Sequence, residues 1–274
     1  MPVFEVTAAD RLSPSLVRVR LRVCDGAEVP TLGVPDEACV LEFPDVASHG
    51  TGQAPREPVE GSGRWYTVRR VDPDGMTVDI VTHPGGVGGE WAAQARVGDR
   101  LRHTHSNSWY RRPEGVDWQV LAGDVTALPA IGRIVEETAS EIPTVVHVEL
   151  PDPADAQELP GADVTWHHNP DLTRGSRLGE VVAGIAFPAG RGYVYVAGEA
   201  AGTRAARRAL RASGLPRGAY GVLGYWRAQA EEWVSKLEES GVDTAAIHQR
   251  AVAAGRDEEE VRELFDQGLA DAGL

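Results

Sequence analysis

Two rhythms of apolar and polar positions divide this chain. Up to about residue 110, apolar side chains recur at every second position. Residues 15–23 read SLVRVRLRV, the period-2 pattern of a half-buried strand. The alternation returns in RWYTVRRV (64–71) and MTVDIVTH (76–83), and the turn DPDG (72–75) between them predicts a β-hairpin. Residues 47–63 are rich in Gly, Pro and polar side chains and read as a long exposed loop. Residues 88–101 read as a short helix ending at Gly98, followed by a strand. Several short strands with one short helix predict a small antiparallel barrel.

Near residue 116 the rhythm changes. DWQVLAG is a strand-like run, and TALPAIGRIVEETAS follows at helical spacing with Leu128, Ile131 and Val135 on one face. TVVHVEL, ADVTWHH, GYVYVAG and GAYGVLGYW read as strands, and RLGEVVAGIA as a helix. TRAARRALRASG reads as a helix with its arginines on one face and Gly214 as its stop. This alternation predicts an α/β domain whose parallel sheet is covered on both sides. The predicted organisation is an antiparallel β-barrel over 1–113, an α/β nucleotide-binding domain over 114–240 and a helical C-terminal extension over 241–274. In the extension, Asp257 and Glu260 have capping-box spacing and Val261, Leu264, Phe265 and Leu269 form an apolar stripe. The stripe is expected to pack on the second domain, with the acids on a solvated face.

Charge narrows the functional classes. With 41 acidic against 27 basic residues the formal net charge is −14, which argues against nucleic-acid and anionic-membrane binding. Cys24 and Cys39 lack metal-ligand spacing, which excludes a four-cysteine iron–sulfur site within this chain; they read as free thiols, with a disulfide left open. No apolar run reaches the roughly 20 residues of a membrane span, and no signal-peptide pattern opens the sequence, so a cytoplasmic protein is expected.

Against that background GRWYTVRR (63–70) stands out. From Arg64 to Arg112 there are eight arginines and five acids, a balance that fits a pocket for phosphates or an anionic chelate. A barrel followed by an α/β domain is one way to build a flavin reductase. Tyr66 can lay its ring on an isoalloxazine, Thr67 can hydrogen-bond the flavin edge, and Arg64 can pair with a pyrophosphate. The alternative is a surface strand with scattered arginines.

Five segments in order carry a resemblance: RWYTVRR, EWAAQARVGDRL (90–101), LAGDVTALPAIGRI (121–134), YVAGEAAGTRAARRAL (195–210) and GYWRAQ (224–229). From about Phe4 to Leu237 the chain resembles the siderophore-interacting protein family, FAD-dependent ferric-siderophore reductases of the ferredoxin-reductase superfamily. The resemblance implies that Arg64, Tyr66 and Thr67 form the Arg-x-Tyr-Thr flavin motif. It implies that His83 and the glycine loop after it approach the FAD pyrophosphate, with Gly88 and Gly89 at the start of the helix that carries Trp91. Asp124 and Thr126 would lie beside the flavin, Gly198 and Glu199 on the nicotinamide side, and Trp226 and Arg227 in the terminal element. The implied cofactor is FAD, the donor NADH or NADPH, and the acceptor a small ferric chelate.

The chain also departs from the pattern. Val68 replaces a proline, and Val40 stands where the family often has a lysine suited to an anionic chelate. Glu90 puts a negative charge where phosphate is expected. HTHSNSWYRR (103–112) replaces a short Gly-Pro element; there His103 and His105 read as sharing one strand face, either as metal ligands or, more simply, as solvated side chains, and Trp109 or Tyr110 as part of a reshaped flavin pocket. Arg204, Arg207 and Arg208 are candidates for a 2′-phosphate. The departures keep two alternatives open: a flavin oxidoreductase of the same fold acting on an organic acceptor, and a non-catalytic flavin- or chelate-binding protein.

Overall fold

The computed structural model describes residues 1–24, 26–45, 56–83 and 86–274. Its strands β1 (Val3–Arg11), β2 (Leu16–Val23), β3 (Ala38–Glu42), β4 (Arg64–Asp72), β5 (Gly75–Val81) and β6 (Arg100–Asn107) close into an antiparallel barrel, ordered β1-β2-β5-β4-β3-β6. Alternation in β2 explains how one strand serves core and solvent. Val17, Val19 and Leu21 enter the barrel core, while Arg18, Arg20 and Arg22 point outward onto Asp79, Asp10 and Glu5. The β4–β5 hairpin turns where the sequence predicts. A side chain at Gly75 would meet the Leu21 carbonyl at 1.9 Å, so this position admits only glycine. Of the predicted loop, residues 47–55 lie outside the described residues; in its remainder, Pro58 bridges to Pro44. Helix α1 (Val87–Ala92) stops well before Gly98, which instead turns the chain with a φ of 92°. Its Trp91 is fully buried against Phe43, ring centroids 5.1 Å apart.

The second unit is a parallel sheet ordered β11-β10-β7-β8-β9, from β7 (Trp118–Asp124), β8 (Thr144–Leu150), β9 (Ala162–His168), β10 (Gly192–Glu199) and β11 (Tyr220–Trp226). Every residue of β7 and β10 is buried, as a sheet covered on both faces requires. Helix α2 (Leu128–Thr138) covers one face; α3 (Leu178–Ala183) and α4 (Ala200–Ala212) cover the other. Among the described residues no helix is long and apolar enough to cross a membrane.

Barrel and sheet share side chains. Leu16 and Val81 of the barrel pack in the core beneath α2. Arg133 of α2 is nearly buried; it donates to the Val68 carbonyl at 2.7 Å, faces Glu37 at 3.6 Å and pairs with Glu137 at 2.7 Å. Arg69 crosses to Glu136 of α2. Ser13 and Ser15 donate three hydrogen bonds to the buried Asp155, at 2.5, 2.8 and 2.7 Å.

After β11 comes α5 (Ala230–Ser240), and the predicted extension over 241–274 comprises α6 (Thr244–Ala254) and α7 (Glu258–Asp271). It corrects two expectations. The apolar stripe of α7 turns toward α6, where Leu269, Ile247 and Ala251 are buried, and Gly268 lets the helices touch at Ile247. The acids are not all solvated: Asp266, Glu263 and Glu260 meet Arg207, Arg211 and Arg217. Those arginines belong to α4 and the loop after it, so ion pairs join α7 to the α/β unit.

Candidate functional site

At one end of the barrel the flavin-motif strand meets the glycine segment. Tyr66 pairs with Cys39 on the core side of β4 and sets its ring edge against Phe43, 5.4 Å between centroids. Its hydroxyl lies over Gly88, where a Cβ would come within 1.8 Å of the phenol oxygen. A Cβ on Gly89 would press on the His83 amide nitrogen at 3.0 Å, and one on Gly86 would strike the His83 ring at 2.4 Å. Tyr66, His83, Gly88, Gly89 and Trp91 are thus brought together. Pro84 and Gly85 lie outside the described residues. Burial pushes the Tyr66 phenol pKa far up, so the ring stays neutral. Arg64 is exposed at the rim, its guanidinium held by the Gly63 carbonyl at 2.8 Å. Glu90 is exposed on the solvent side of α1.

The basic stretch is mostly structural. Arg69, Arg70, Arg100, Arg102 and Arg112 face carboxylates of Glu136, Asp72, Glu57, Glu42 and Glu141.

The other face of β4 looks toward the α/β unit. Thr67 is buried on this face beside the Tyr225 hydroxyl, which pairs with the Tyr195 hydroxyl at 2.8 Å. Two residues earlier on the same face, Trp65 is 48% exposed and meets Trp109 edge to face at 5.5 Å. Tyr110 turns inward against Tyr193 and Tyr195. The HTHSNSWYRR segment therefore lines the junction of the two units.

The expectation that His103 and His105 share a strand face is corrected. A bulge in β6 pairs them with Leu41 and Val40, consecutive residues of β3, so they turn to opposite sides. His103 is buried beside Ser106 at 2.9 Å, and His105 is exposed beside Thr104.

The carboxyl edge of the parallel sheet is organised around Asp124, fully buried at the end of β7. One oxygen accepts from the Thr126 amide at 2.9 Å and hydroxyl at 2.6 Å. The other accepts from the Glu199 amide at 2.7 Å and the Trp226 indole at 2.8 Å. The tips of β7, β10 and β11 are thereby tied to one carboxylate. Burial raises its pKa, and the four donors oppose that rise. Gly198 is required here, with a φ of 152° and an added Cβ only 2.5 Å from Asp124. Glu199 caps α4, accepting from the Gly202 amide at 2.8 Å and the Ala228 amide at 3.2 Å. Arg227 lies over the Trp233 ring at 4.1 Å, and burial lowers its pKa.

Sequence reasoning missed several contributors. Asp36, fully buried, accepts from the Trp109 and Tyr110 amides at 2.6 and 2.7 Å and so fixes that turn. Tyr195 and Tyr225 read only as apolar strand positions. A cleft of about 530 Å³ between α3, α4 and α5, lined by Arg174, Arg177, Arg227, Trp233 and Lys236, also went unseen. Its only sequence signal is basic residues scattered over more than 60 positions. Of the candidates for a 2′-phosphate, Arg207 is engaged by Asp266 and the Val222 carbonyl.

Comparison with known proteins agrees with this arrangement. The family profile described as siderophore-interacting FAD-binding domain matches residues 5–105, and the siderophore-interacting protein profile matches residues 116–229. A crystal structure of a siderophore utilization protein from T. fusca superposes with a TM-score of 0.69 at 33% identity, covering 83% of this chain and 92% of that one. An uncharacterized protein of Mycobacterium tuberculosis is 30% identical over 88% of this chain and 97% of its own length. The ferric vibriobactin reductase of Vibrio cholerae is 29% identical over 62% of this chain and 66% of its own. With its ferredoxin-reductase-like barrel and parallel sheet, the chain belongs to the siderophore-interacting protein family, whose first domain is an FAD-binding one.

Proposed function

We propose that this protein is an FAD-dependent oxidoreductase that passes electrons from NADH or NADPH to chelated Fe(III). The observation that carries this reading is the junction of the two units. Thr67 of the flavin-motif strand lies beside Tyr225, and the next residue, Trp226, is bound to Asp124 at the sheet edge. Groups suited to a flavin and to a nicotinamide nucleotide therefore lie within a few side chains of each other.

The residues fit the cofactor. Gly86, Gly88 and Gly89 leave no room for a Cβ against His83 and Tyr66, so the glycine backbone closes directly onto the flavin-motif strand, and exposed Arg64 stands beside it as a fork for phosphate. Tyr66 offers a neutral ring, and Thr67 a hydroxyl on the neighbouring face. Bound FAD supplies the step from hydride to single electrons. The chain's own groups position: Arg64 binds phosphate, Thr67 and Tyr225 set the ring edge, and Gly198 keeps the sheet edge clear. Asp124 holds three strand tips in register and needs no proton-transfer role.

A second acceptor class is favoured by one observation. Val40, where a cation would attract an anionic chelate, pairs with Trp65 on one side and His105 on the other. That surface suits an aromatic organic acceptor better than a strongly charged complex.

The test is an absorption spectrum of the purified protein with FAD, followed by anaerobic NADH or NADPH. Bleaching of the flavin band, with recovery on adding a ferric siderophore, supports ferric reduction. Bleaching without recovery moves the acceptor to the organic class. Absence of flavin binding overturns the assignment of Arg64, Tyr66 and Thr67.

A further inference from the structure

We infer that Trp65 and Trp109 form the subsite that holds the electron acceptor, and that they take it by an uncharged aromatic ring rather than by its charge. This rests on the oxidoreductase reading and names what its acceptor must carry. Among the described residues Trp65 is the one aromatic side chain that stands exposed. Tryptophan is on average a well-buried residue, and an exposed apolar patch of this kind marks a binding surface.

Strand pairing shows what surrounds it. Trp65 sits opposite Val40 of β3, and Val40 sits opposite His105 of β6, so the three side chains form one outward row across the barrel. Gly63, two positions before Trp65 on the same face, is bare, and a Cβ there would press on Val40 at 2.7 Å. Thr67, two positions after Trp65, lies about 7 Å farther along that face. A ring resting on Trp65 is therefore next to the edge assigned to the flavin.

The two indoles make a corner. Their planes meet at 72° with centroids 5.5 Å apart. A third ring can stack on one indole and set its edge against the other, and both arrangements are favoured between aromatic groups. The corner is held in place by both units. Asp36 of the barrel accepts the Trp109 amide at 2.6 Å, and the Tyr193 hydroxyl of the sheet accepts the Arg111 amide at 3.0 Å. The Arg111 guanidinium then closes the turn on the Ser108 hydroxyl and carbonyl, at 2.8 and 2.6 Å.

Charge is spent around this corner. The row Trp65, Val40 and His105 carries no lysine or arginine. Arg102 is bound by Glu42 at 2.8 Å and Arg112 faces Glu141 at 3.5 Å, while Arg64 belongs to the other face of β4. His105 bonds Thr104 through Nδ1 at 3.0 Å and keeps Nε2 for an oxygen substituent of the ligand. Two sources offer such a ring: an arm of an uncharged ferric chelate, and a free organic acceptor such as a quinone.

The test is calorimetric binding to the full chain supplied with FAD and with no donor nucleotide, so that no electron moves. Three uncharged probes are compared. Gallium(III) tris-maltolate is a redox-inert chelate with flat rings, gallium(III) tris-acetohydroxamate is its aliphatic counterpart, and 1,4-naphthoquinone is a ring without metal. A ring-bearing probe should bind at least about tenfold tighter than the acetohydroxamate, and the tighter of the two identifies the source. Trp65→Ala should lose about tenfold of that binding and Trp65→Phe should restore most of it, with melting temperature and FAD affinity unchanged in both. Acetohydroxamate bound as tightly as the rings, or ring binding that Trp65→Ala leaves intact, overturns the inference. So does a loss of FAD affinity in Trp65→Ala, which gives the corner to the cofactor. The two readings fail separately. Ring-selective binding in a protein whose flavin neither NADH nor NADPH bleaches sinks the oxidoreductase and leaves the corner. Bleaching and recovery without ring selectivity sinks the corner and leaves the oxidoreductase.

Discussion

Trp226 donates its indole N–H to the buried carboxylate of Asp124 across 2.8 Å, although 102 positions separate them in sequence. The bond sets the end of β11 against the end of β7 with β10 between them. Trp226→Phe keeps an aromatic ring and removes the donor. The expected cost is about 1–2 kcal/mol, read from urea unfolding. Its pH dependence has a definite sign. Burial raises the pKa of Asp124 above its unfolded value, so ionised Asp124 is the form that depends on its donors. The defect should therefore be largest at pH 8 and shrink as acid protonates the carboxyl group. A defect independent of pH would show that the indole acts only by packing.

The contact of Tyr66 with Gly88 predicts a second outcome. Gly88→Ala puts a methyl group 1.8 Å from the phenol oxygen, so Tyr66 must leave its place. Overpacking of this kind costs about 1–3 kcal/mol, and FAD affinity should fall by about tenfold or more in a fluorescence titration. Adding Tyr66→Phe removes the clashing oxygen and should recover part of that loss. No recovery would mean that Gly88 matters to FAD for another reason.

Arg133 is the buried link between α2 and the barrel. Arg133→Ala strands Glu37, which keeps the Thr31 hydroxyl and Leu32 amide, both at 2.8 Å, and loses its cation. Breaking a buried pair from one side costs about 3–5 kcal/mol. Equilibrium denaturation should show a loss of that order. The double variant Arg133→Met/Glu37→Gln should be less destabilised than Arg133→Ala.

His147 and His167 face each other across β8 and β9, with ring nitrogens 3.1 Å apart. Burial depresses both pKa values; His167 adds to this at His147 against Asp163, while at His167 Glu149 opposes it and Arg177 adds to it. A histidine depressed in the folded state stabilises above its unfolded pKa, about 6.5, and loses that contribution as pH falls through the folded value. Unfolding free energy should therefore decline below about pH 6.5. His147→Gln should flatten this decline and change little at pH 8. An identical acid limb in the variant would assign the loss to other groups, His103 among them.

How much of this was legible in the sequence depends on the range of each signal. The alternation of Val17, Val19 and Leu21 is local and led directly to the barrel. The apolar runs around Leu121 and Tyr195 likewise led to a doubly covered parallel sheet. A bulge leaves no trace in a period-2 pattern, so His103 and His105 could not be seen to part. Glutamate is not a preferred helix cap, which hid the role of Glu199 on α4. Helical spacing puts Glu260, Glu263 and Asp266 on one face of α7 but is silent on what lies opposite. Their arginines come some 50 residues earlier and meet them only in three dimensions. The flavin motif was legible by resemblance, and its neighbours Asp36 and Tyr225 were not, since they act through contacts distant in sequence.

The clamp between Ser13, Ser15 and Asp155 also bears on how the protein is made. A chain leaving the ribosome presents all six barrel strands, ending at Asn107, well before Asp155 emerges. Leu16 and Val81 pack in the core beneath α2, so the barrel completes its own strands before the cover for this face is made. The nascent barrel thus carries a sticky face at first, and the arrival of Asp155, 48 residues after Asn107, is when the β1–β2 corner is first fastened.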